Sequence, residues 1–195
     1  MAHFLKDLSQ KTIKYHTGIK AALLILAVIF LAASIKPAAA AVFNVMASGT
    51  ERKLPIYSVD TPEKVVALTF DAAWGADDTD TLIAILGRYN IKATFFLCGY
   101  WVDKYPDEVK KLYDAGHDIG NHSATHPHGN SLSLQQNENE ISLCGAKIMS
   151  ITGQMPNLFR PPFGEYNNTV IQAAENSGYY AIQWDVDTLD IKIAV

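Results

Sequence analysis

Histidines concentrate in one short stretch of the chain. Four of the six lie between His117 and His128, and the segment HSATH places His122 and His126 four residues apart. Two imidazoles at this spacing can bind one metal ion, either from a helical turn or from the bend after a strand. The same residues would also suit a polar surface loop. The spacing by itself therefore leaves both a metal site and a surface loop open.

Carboxylate and guanidinium groups occupy positions where catalytic groups are often found. Asp71, His122 and Asp187 each follow a segment that is predicted to be a strand, and in parallel α/β folds functional groups collect at the carboxyl ends of strands. Arg160 lies in FRPPFG, where consecutive prolines fix a loop that could aim a guanidinium at a carboxylate. The alternatives are a turn or capping role for Asp71 and a solvated side chain for Arg160.

The elements that must position these residues begin near Lys64. From there, short apolar runs alternate with segments of helical periodicity, which predicts βα units around a parallel sheet. The first strand, VVALTF, is expected to be buried on both faces, and Asp77 or Asp78 is available to cap the helix after it. Strands are predicted at 65–70, 93–97, 117–121 and 180–184, and helices at 79–89, 106–115, 134–151 and 168–176.

The N-terminal 41 residues differ from the rest of the chain. Residues 21–35 form an apolar run after a segment that contains four lysines, which predicts a basic cytoplasmic region at 1–20 and a signal anchor or cleaved signal peptide at 21–41. The long basic region favours the anchor. The following part is then exported, and it is either held at the cell membrane by a single span or secreted. Residues 42–63 are predicted to be a linker or extension.

Composition and charge indicate which class of macromolecule the chain does not bind. The chain has 195 residues, and its first 41 carry five Lys and one Asp, so 11 basic and 19 acidic residues follow, with a formal charge of −8. An acidic body argues against a nucleic-acid partner. Cys98 and Cys144 predict neither a disulfide framework nor a cysteine-based zinc site, and are expected to be separate thiols used as small apolar residues. No oligomeric state follows from the sequence.

Four motifs taken together resemble one protein family. TFDAAWG (69–75), HSATH, FRPPFG and DTLD (187–190) occur in the order and approximate spacing of the polysaccharide deacetylases, the NodB homology domain of carbohydrate esterases. The sequence is most similar to the membrane-anchored, sporulation-associated PdaB-like branch, over residues 64–195. The resemblance implies a distorted (β/α)7 barrel that removes N- or O-acetyl groups from polysaccharides such as peptidoglycan or chitin. It also implies a divalent metal, zinc or another such as cobalt.

The resemblance assigns a role to each matching residue. Asp71 corresponds to the general base, and His122 and His126 correspond to two metal ligands. Arg160 corresponds to the arginine that orients the base and keeps it ionised.

Further positions carry weaker implications. The backbone N–H of Phe163 would help to bind the oxyanion, and Asp187, or else Asp190, would be the supporting acidic residue. Three aromatic residues are expected either to line a sugar site or to pack in the core or at its rim: Trp74, Tyr166 and Trp184.

Three departures from the family pattern bear on activity. Ala72 stands where the second Asp of the family's TFDD motif binds metal, so metal affinity is expected to fall unless Asp77 or Asp78 substitutes. Ile191 stands where the family has Trp. A Leu-x-His motif that carries the family's catalytic acid has no counterpart before Val195. Residues 64–195 are therefore expected to form an incomplete domain that leaves the strand at 180–184 as an open, aggregation-prone edge.

Two functions follow, beside a third possibility in which the metal serves structure alone. The first is an envelope polysaccharide deacetylase with Asp71 as its base, which the retained HSATH, Asp71 and Arg160 favour. The second is a catalytically impaired member that binds glycan at the same barrel mouth, which Ala72 and the missing acid favour.

Overall fold

A parallel sheet organises the domain. The computed structural model describes residues 51–188, so the basic region and membrane segment predicted at 1–41 lie outside the described residues. No helix within 51–188 is long and apolar enough to cross a membrane. Within these described residues the sheet has five strands: β1 (Thr69–Ala72), β2 (Thr94–Leu97), β3 (Asp118–Asn121), β4 (Leu158–Phe159) and β5 (Tyr180–Ala181).

The order of the strands in space is their order in the chain, and every neighbouring pair is parallel. Right-handed crossovers between consecutive parallel strands place all the connecting helices on one face of the sheet. This is the arrangement of a βα-barrel wall rather than of a doubly wound sheet. The predicted parallel α/β class is therefore confirmed.

The helices follow local sequence signals closely. Ser133 and Gln136 form a capping box at the start of the longest of the described helices, which is followed by Gly153 in the left-handed conformation (φ 75°). Asn167 caps the last helix through the Val170 N–H. Asp78 occupies the N-cap position of the first helix but makes no side-chain capping bond. The helices are α1 (Thr79–Arg88), α2 (Gly99–Lys104), α3 (Pro106–Asp114), α4 (Leu134–Thr152) and α5 (Asn168–Asn176).

The first strand differs from its prediction. It begins at Thr69 instead of Val65, and Val66 is 88% exposed. Among the described strands β1 pairs only with β2, which itself begins at Thr94, and the last backbone bond toward the start of β1 is from the Thr94 N–H to the Leu68 carbonyl (3.0 Å). The expectation of burial on both faces was wrong for this reason, and Asp71 lies within the strand instead of after it.

One residue of the segment predicted to be a linker or extension pairs with the sheet. The Ile56 N–H donates to the Ala181 carbonyl (2.8 Å), and the Gln183 N–H donates to the Ile56 carbonyl (2.8 Å). Ile56 therefore pairs with the outer edge of β5. The edge predicted to be partly open at 180–184 is therefore covered at this one point by a residue from before β1.

Two apolar clusters support the sheet. Phe95 and Leu97 of β2 pack with Trp101 and Val109 in one cluster, and Phe159 of β4 packs with the inner face of α5 in the other. Complete burial of one such side chain contributes roughly 1.5–3 kcal/mol. The Trp101 indole N–H also donates to the Gly75 carbonyl (2.9 Å) and so fixes the loop after β1. Packed apolar side chains thus support the carboxyl ends of β1–β3.

Candidate metal and acid–base site

Strand register explains why the candidate side chains share one face of the sheet. Asp71 is in register with Phe96, and Phe96 with Gly120, so these positions point the same way. Cys98 and His122 lie two residues beyond Phe96 and Gly120 and return to that face. The ladder continues this far, because the His122 N–H donates to the Leu97 carbonyl (3.0 Å).

Gly120 leaves space for the aromatic ring against which the Arg160 guanidinium packs. A Cβ on Gly120 would lie 2.5 Å from the ring of Phe96, so only glycine leaves space for that ring. The Arg160 guanidinium carbon lies 4.1 Å from the Phe96 ring centroid and 5.5 Å from that of Trp184. The guanidinium is therefore held by two aromatic rings.

Arg160 and Asp71 form an ion pair. Arg160 Nη1 donates to Asp71 Oδ1 (2.7 Å), and the exposed fractions of the two side chains are 3% and 33%. Arg160 Nε and Nη2 have no hydrogen-bond partner within residues 51–188, so Asp71 is the anion to which the guanidinium is tied. The second carboxylate oxygen, Oδ2, lies 3.8 Å from His122 Nε2. One oxygen is thus anchored while the other faces the histidine.

His122 is oriented as metal-binding histidines usually are. Its Nδ1 lies 2.8 Å from the Arg160 carbonyl oxygen, which can only accept, so Nδ1 carries the proton and Nε2 presents a lone pair. Burial lowers the pKa of His122, which favours the neutral imidazole that a metal needs.

The loop after β3 sets the position of His126. Ser123 (φ 67°) and His126 (φ 57°) both adopt the left-handed conformation, which costs a non-glycine residue about 1 kcal/mol or more. The His126 N–H donates to Ser123 Oγ (3.0 Å), and the Thr125 N–H donates to Glu140 (2.8 Å). The two histidine rings lie with their centroids 5.0 Å apart, and burial lowers the pKa of His126 also.

Cys98 lies beside the two histidines. The ligand atoms of Cys98, His122 and His126 all lie within 4.8 Å of one another, and a thiolate with two imidazoles is a donor set that suits zinc. The sequence predicted no cysteine-based zinc site, because the chain has only two cysteines. The position of Cys98 directly after a predicted strand was the signal that could have placed its thiol beside the histidines.

The two thiols are otherwise as predicted. Cys98 and Cys144 are free and buried, and burial raises the pKa of each to about 12. The Cys144 thiol donates to the Leu97 carbonyl (3.2 Å) and is not part of the group formed by Cys98 and the histidines.

Other predicted site residues are placed less centrally. The ring of Phe163 lies 4.5 Å from that of His126 and 4.2 Å from that of His128, so it borders the site. The Tyr166 hydroxyl pairs with that of Tyr57 (2.8 Å). Trp74 is 81% exposed.

The remaining assignments concern acidic residues and Ala72. Asp187, Asp77 and Asp78 are exposed, and Ala72 packs against the core cluster. Asp190 and Ile191 lie outside the described residues.

Comparison with known proteins identifies one family. The family model described as polysaccharide deacetylase matches residues 58–182. The chain is 33% identical to the peptidoglycan-N-acetylmuramic acid deacetylase PdaA of Bacillus subtilis, over 70% of this chain and 52% of that protein. It is 38% identical to the peptidoglycan-N-acetylglucosamine deacetylase PgdA of Listeria monocytogenes, over 76% of this chain and 33% of that protein. The chain thus spans a third to a half of the length of these relatives.

Solved structures show the same fold. BA3943 of Bacillus anthracis, described as a CE4 family pseudoenzyme, superimposes with a TM-score of 0.70 at 35% identity, over 72% of this chain and 50% of that one. A mutant of that protein is described as having restored enzymatic activity.

Proposed function

The chain belongs to the polysaccharide deacetylase family, and from this we propose that it carries the active site of a hydrolase that removes acetyl groups from a cell-envelope polysaccharide. Peptidoglycan is the substrate class we favour, since both PdaA and PgdA are named as peptidoglycan deacetylases. The observation that carries the proposal is the arrangement of Asp71, which is anchored by Arg160 on one oxygen and faces His122 with the other.

Each side chain has a defined part in this chemistry. Asp71 accepts the proton of the attacking water through Oδ2, and the ion pair with Arg160 keeps its carboxylate in place. His122 and His126 would hold a divalent metal. When bound, that metal polarises the acetyl carbonyl and activates the water. The backbone N–H of Phe163, next to His126, would donate to the oxyanion.

The location is part of the same proposal. The apolar run at 21–35, which follows a lysine-rich segment, would hold the domain at the outer face of the cell membrane, or release it if the signal is cleaved. A role in sporulation is suggested by the resemblance to the PdaB-like branch.

The test is acetate release from acetylated peptidoglycan by the full chain, stripped of metal and then loaded with zinc or cobalt. We expect metal-dependent release that His122→Ala abolishes and Asp71→Asn reduces by about 100-fold or more. His117→Gln is the matched control, because His117 precedes β3 whereas His122 follows it, and it should retain the activity. Release that survives both Asp71→Asn and His122→Ala would contradict the assignment.

A second function is favoured by a specific observation. Ala72 replaces a metal-binding Asp of the family motif, and the similar BA3943 is described as a pseudoenzyme. A non-catalytic member would retain glycan at the same mouth. Retention of insoluble peptidoglycan by the metal-loaded chain, without acetate release, would support this function over the first.

A further inference from the structure

With Ala72 in place of the family's metal-binding Asp, His122 and His126 would be only two protein ligands for a metal. We propose that the sulfur of Cys98 is the third protein ligand, so that the site is a Cys–His–His centre for zinc or a similar divalent cation. This deepens the proposed function and rests on it for the presence of a metal at this mouth. It replaces the charged ligand of the family with one from the neighbouring strand.

The backbone places Cys98 for this role. Its N–H donates to the Ala72 carbonyl (3.1 Å), which continues the β1–β2 ladder one residue beyond Leu97, so Cys98 returns to the face of the sheet that carries Asp71. Its side chain turns toward β3, because its thiol donates to the His122 carbonyl (3.3 Å). The sulfur therefore lies beside His122, on the face of the sheet that carries Asp71.

Gly99 lets the loop that carries His126 approach the backbone that follows Cys98. The Gly99 N–H donates to the Ser123 carbonyl (2.9 Å) and the Tyr100 N–H to the Ala124 carbonyl (3.1 Å). A Cβ on Gly99 would lie 2.9 Å from Ala124 Cα, so a larger residue would push the loop away. The close approach holds Cys98 and His126 on the same side of the site.

The distances fit a metal centre that closes slightly on binding. The three ligand atoms lie within 4.8 Å of one another, whereas tetrahedral zinc holds sulfur and nitrogen ligands about 3.5 Å apart. Rotation of the half-buried His126 side chain can supply a movement of roughly 1 Å. Three protein ligands leave the fourth position for water or substrate, as catalytic zinc sites do.

Charge gives Cys98 a clear function. Asp71 and Arg160 neutralise each other, and His122, whose Nδ1 lies 2.8 Å from the Arg160 carbonyl oxygen, presents an uncharged nitrogen at Nε2. A divalent cation held by imidazoles alone would bring buried, uncompensated charge. On binding, the Cys98 S–H bond breaks, its proton leaves to solvent, and the sulfur lone pair forms the bond to the metal. The thiolate then supplies the negative charge that the family's Asp would carry.

Cobalt titration of the full chain tests this directly, because a cobalt–sulfur bond gives a charge-transfer absorption that cobalt bound by nitrogen and oxygen lacks. We expect this absorption in the wild type and its loss in Cys98→Ser. The cobalt affinity of Cys98→Ser should fall by more than about 100-fold, because the loss of a group that only contacts a ligand already costs about 10- to 100-fold. Cys144→Ser is the matched control, being an equally buried thiol outside the cluster, and should keep both. Cys98→Asp should recover affinity without the absorption.

A measurement on the wild type tests the same ligand without depending on whether the variants fold. X-ray absorption of the zinc-loaded chain should show one sulfur scatterer at about 2.3 Å. Zinc bound with nitrogen and oxygen scatterers only, or full affinity in folded Cys98→Ser, would overturn the role of Cys98. Acetate release without zinc–sulfur scattering would leave the proposed function standing, whereas zinc–sulfur scattering without acetate release would leave the metal centre standing.

Discussion

Arg160 is the residue on which several site interactions depend. Its guanidinium binds Asp71, its carbonyl orients His122, and its charged plane lies against the rings of Phe96 and Trp184. One residue thus fixes the base through its side chain and the metal-binding imidazole through its backbone. A lysine could not reproduce this, because it lacks the planar group that stacks on aromatic rings.

The ion pair should be measurable as a coupling energy. We expect Asp71→Ala and Arg160→Met each to lower the free energy of unfolding by about 1–3 kcal/mol, since each removes a charged hydrogen-bond partner. The double variant should lose less than the sum, by about 1–2 kcal/mol, because the second change no longer leaves a charge unpaired. Urea denaturation of the four proteins measures this. Strictly additive losses would show that the pair does not stabilise the fold.

At the scale of elements, the carboxyl ends of β2 and β3 depend on two glycines. Gly120 leaves space for Phe96, and Gly99 lets the loop that carries His126 approach α2. Side chains at these positions would alter the site without removing any of its chemical groups. Packing between these strands therefore controls the geometry of the Asp71–Arg160 ion pair.

Substitution of Gly120 tests this packing. We expect Gly120→Ala to destabilise the fold by about 1–3 kcal/mol, since the new methyl group would overlap the Phe96 ring. Gly87→Ala in α1 is the matched control, because a Cβ there meets nothing within 4 Å, and it should stabilise by about 0.5–1 kcal/mol. Thermal unfolding followed by circular dichroism compares the two. Equal effects in both would contradict the proposed contact.

His117, just before β3, should make stability depend on pH. It is buried and accepts a hydrogen bond at Nδ1 from the Ala93 N–H (3.3 Å), and burial lowers its pKa. Below the unfolded pKa of about 6.5 the unfolded chain binds a proton that the folded chain resists, so stability falls as pH drops through that range. We expect a smaller fall in His117→Gln than in the wild type between about pH 7.5 and about pH 5.5. An equal fall in both would contradict this, as measured by urea denaturation.

The sequence predicted the elements whose signals are local. The cap at Ser133, the glycine at 153 and the apolar periodicity of α4 and α5 are all within or next to the helix, so those boundaries are accurate to about one residue. Elements that depend on a partner elsewhere were missed or misplaced. β4 has two residues, α2 has six, and the start of β1 is set by its pairing with β2. Cys98 was missed for the same reason, since its neighbours come from another strand.

At the scale of the whole described domain, the segment before β1 joins the far edge of the sheet. Ile56 pairs with β5, and Lys53 binds Gln172 and Glu175 of α5. This attachment protects backbone groups of an edge strand that would otherwise be available for pairing with another chain. Lys53 and Ile56 are thus both attached to the sheet or its last helix.

A proline substitution tests the attachment. Ile56→Pro removes the N–H that donates to the Ala181 carbonyl, so we expect a loss of about 0.5–1.5 kcal/mol and faster hydrogen exchange of the Gln183 amide. Val59→Pro, at an exposed position of the same segment, is the control and should change neither. Unchanged exchange at Gln183 in Ile56→Pro would contradict the pairing.

The most direct measurement is acetate release from acetylated peptidoglycan at equal bound zinc, comparing the full wild-type chain with Asp71→Asn. If Asp71 is the base beside a metal held by the histidines, the wild type releases acetate and the variant does so about 100-fold more slowly or less, with zinc content unchanged. Zinc-loaded wild type that retains the glycan and releases no acetate would contradict the enzymatic role.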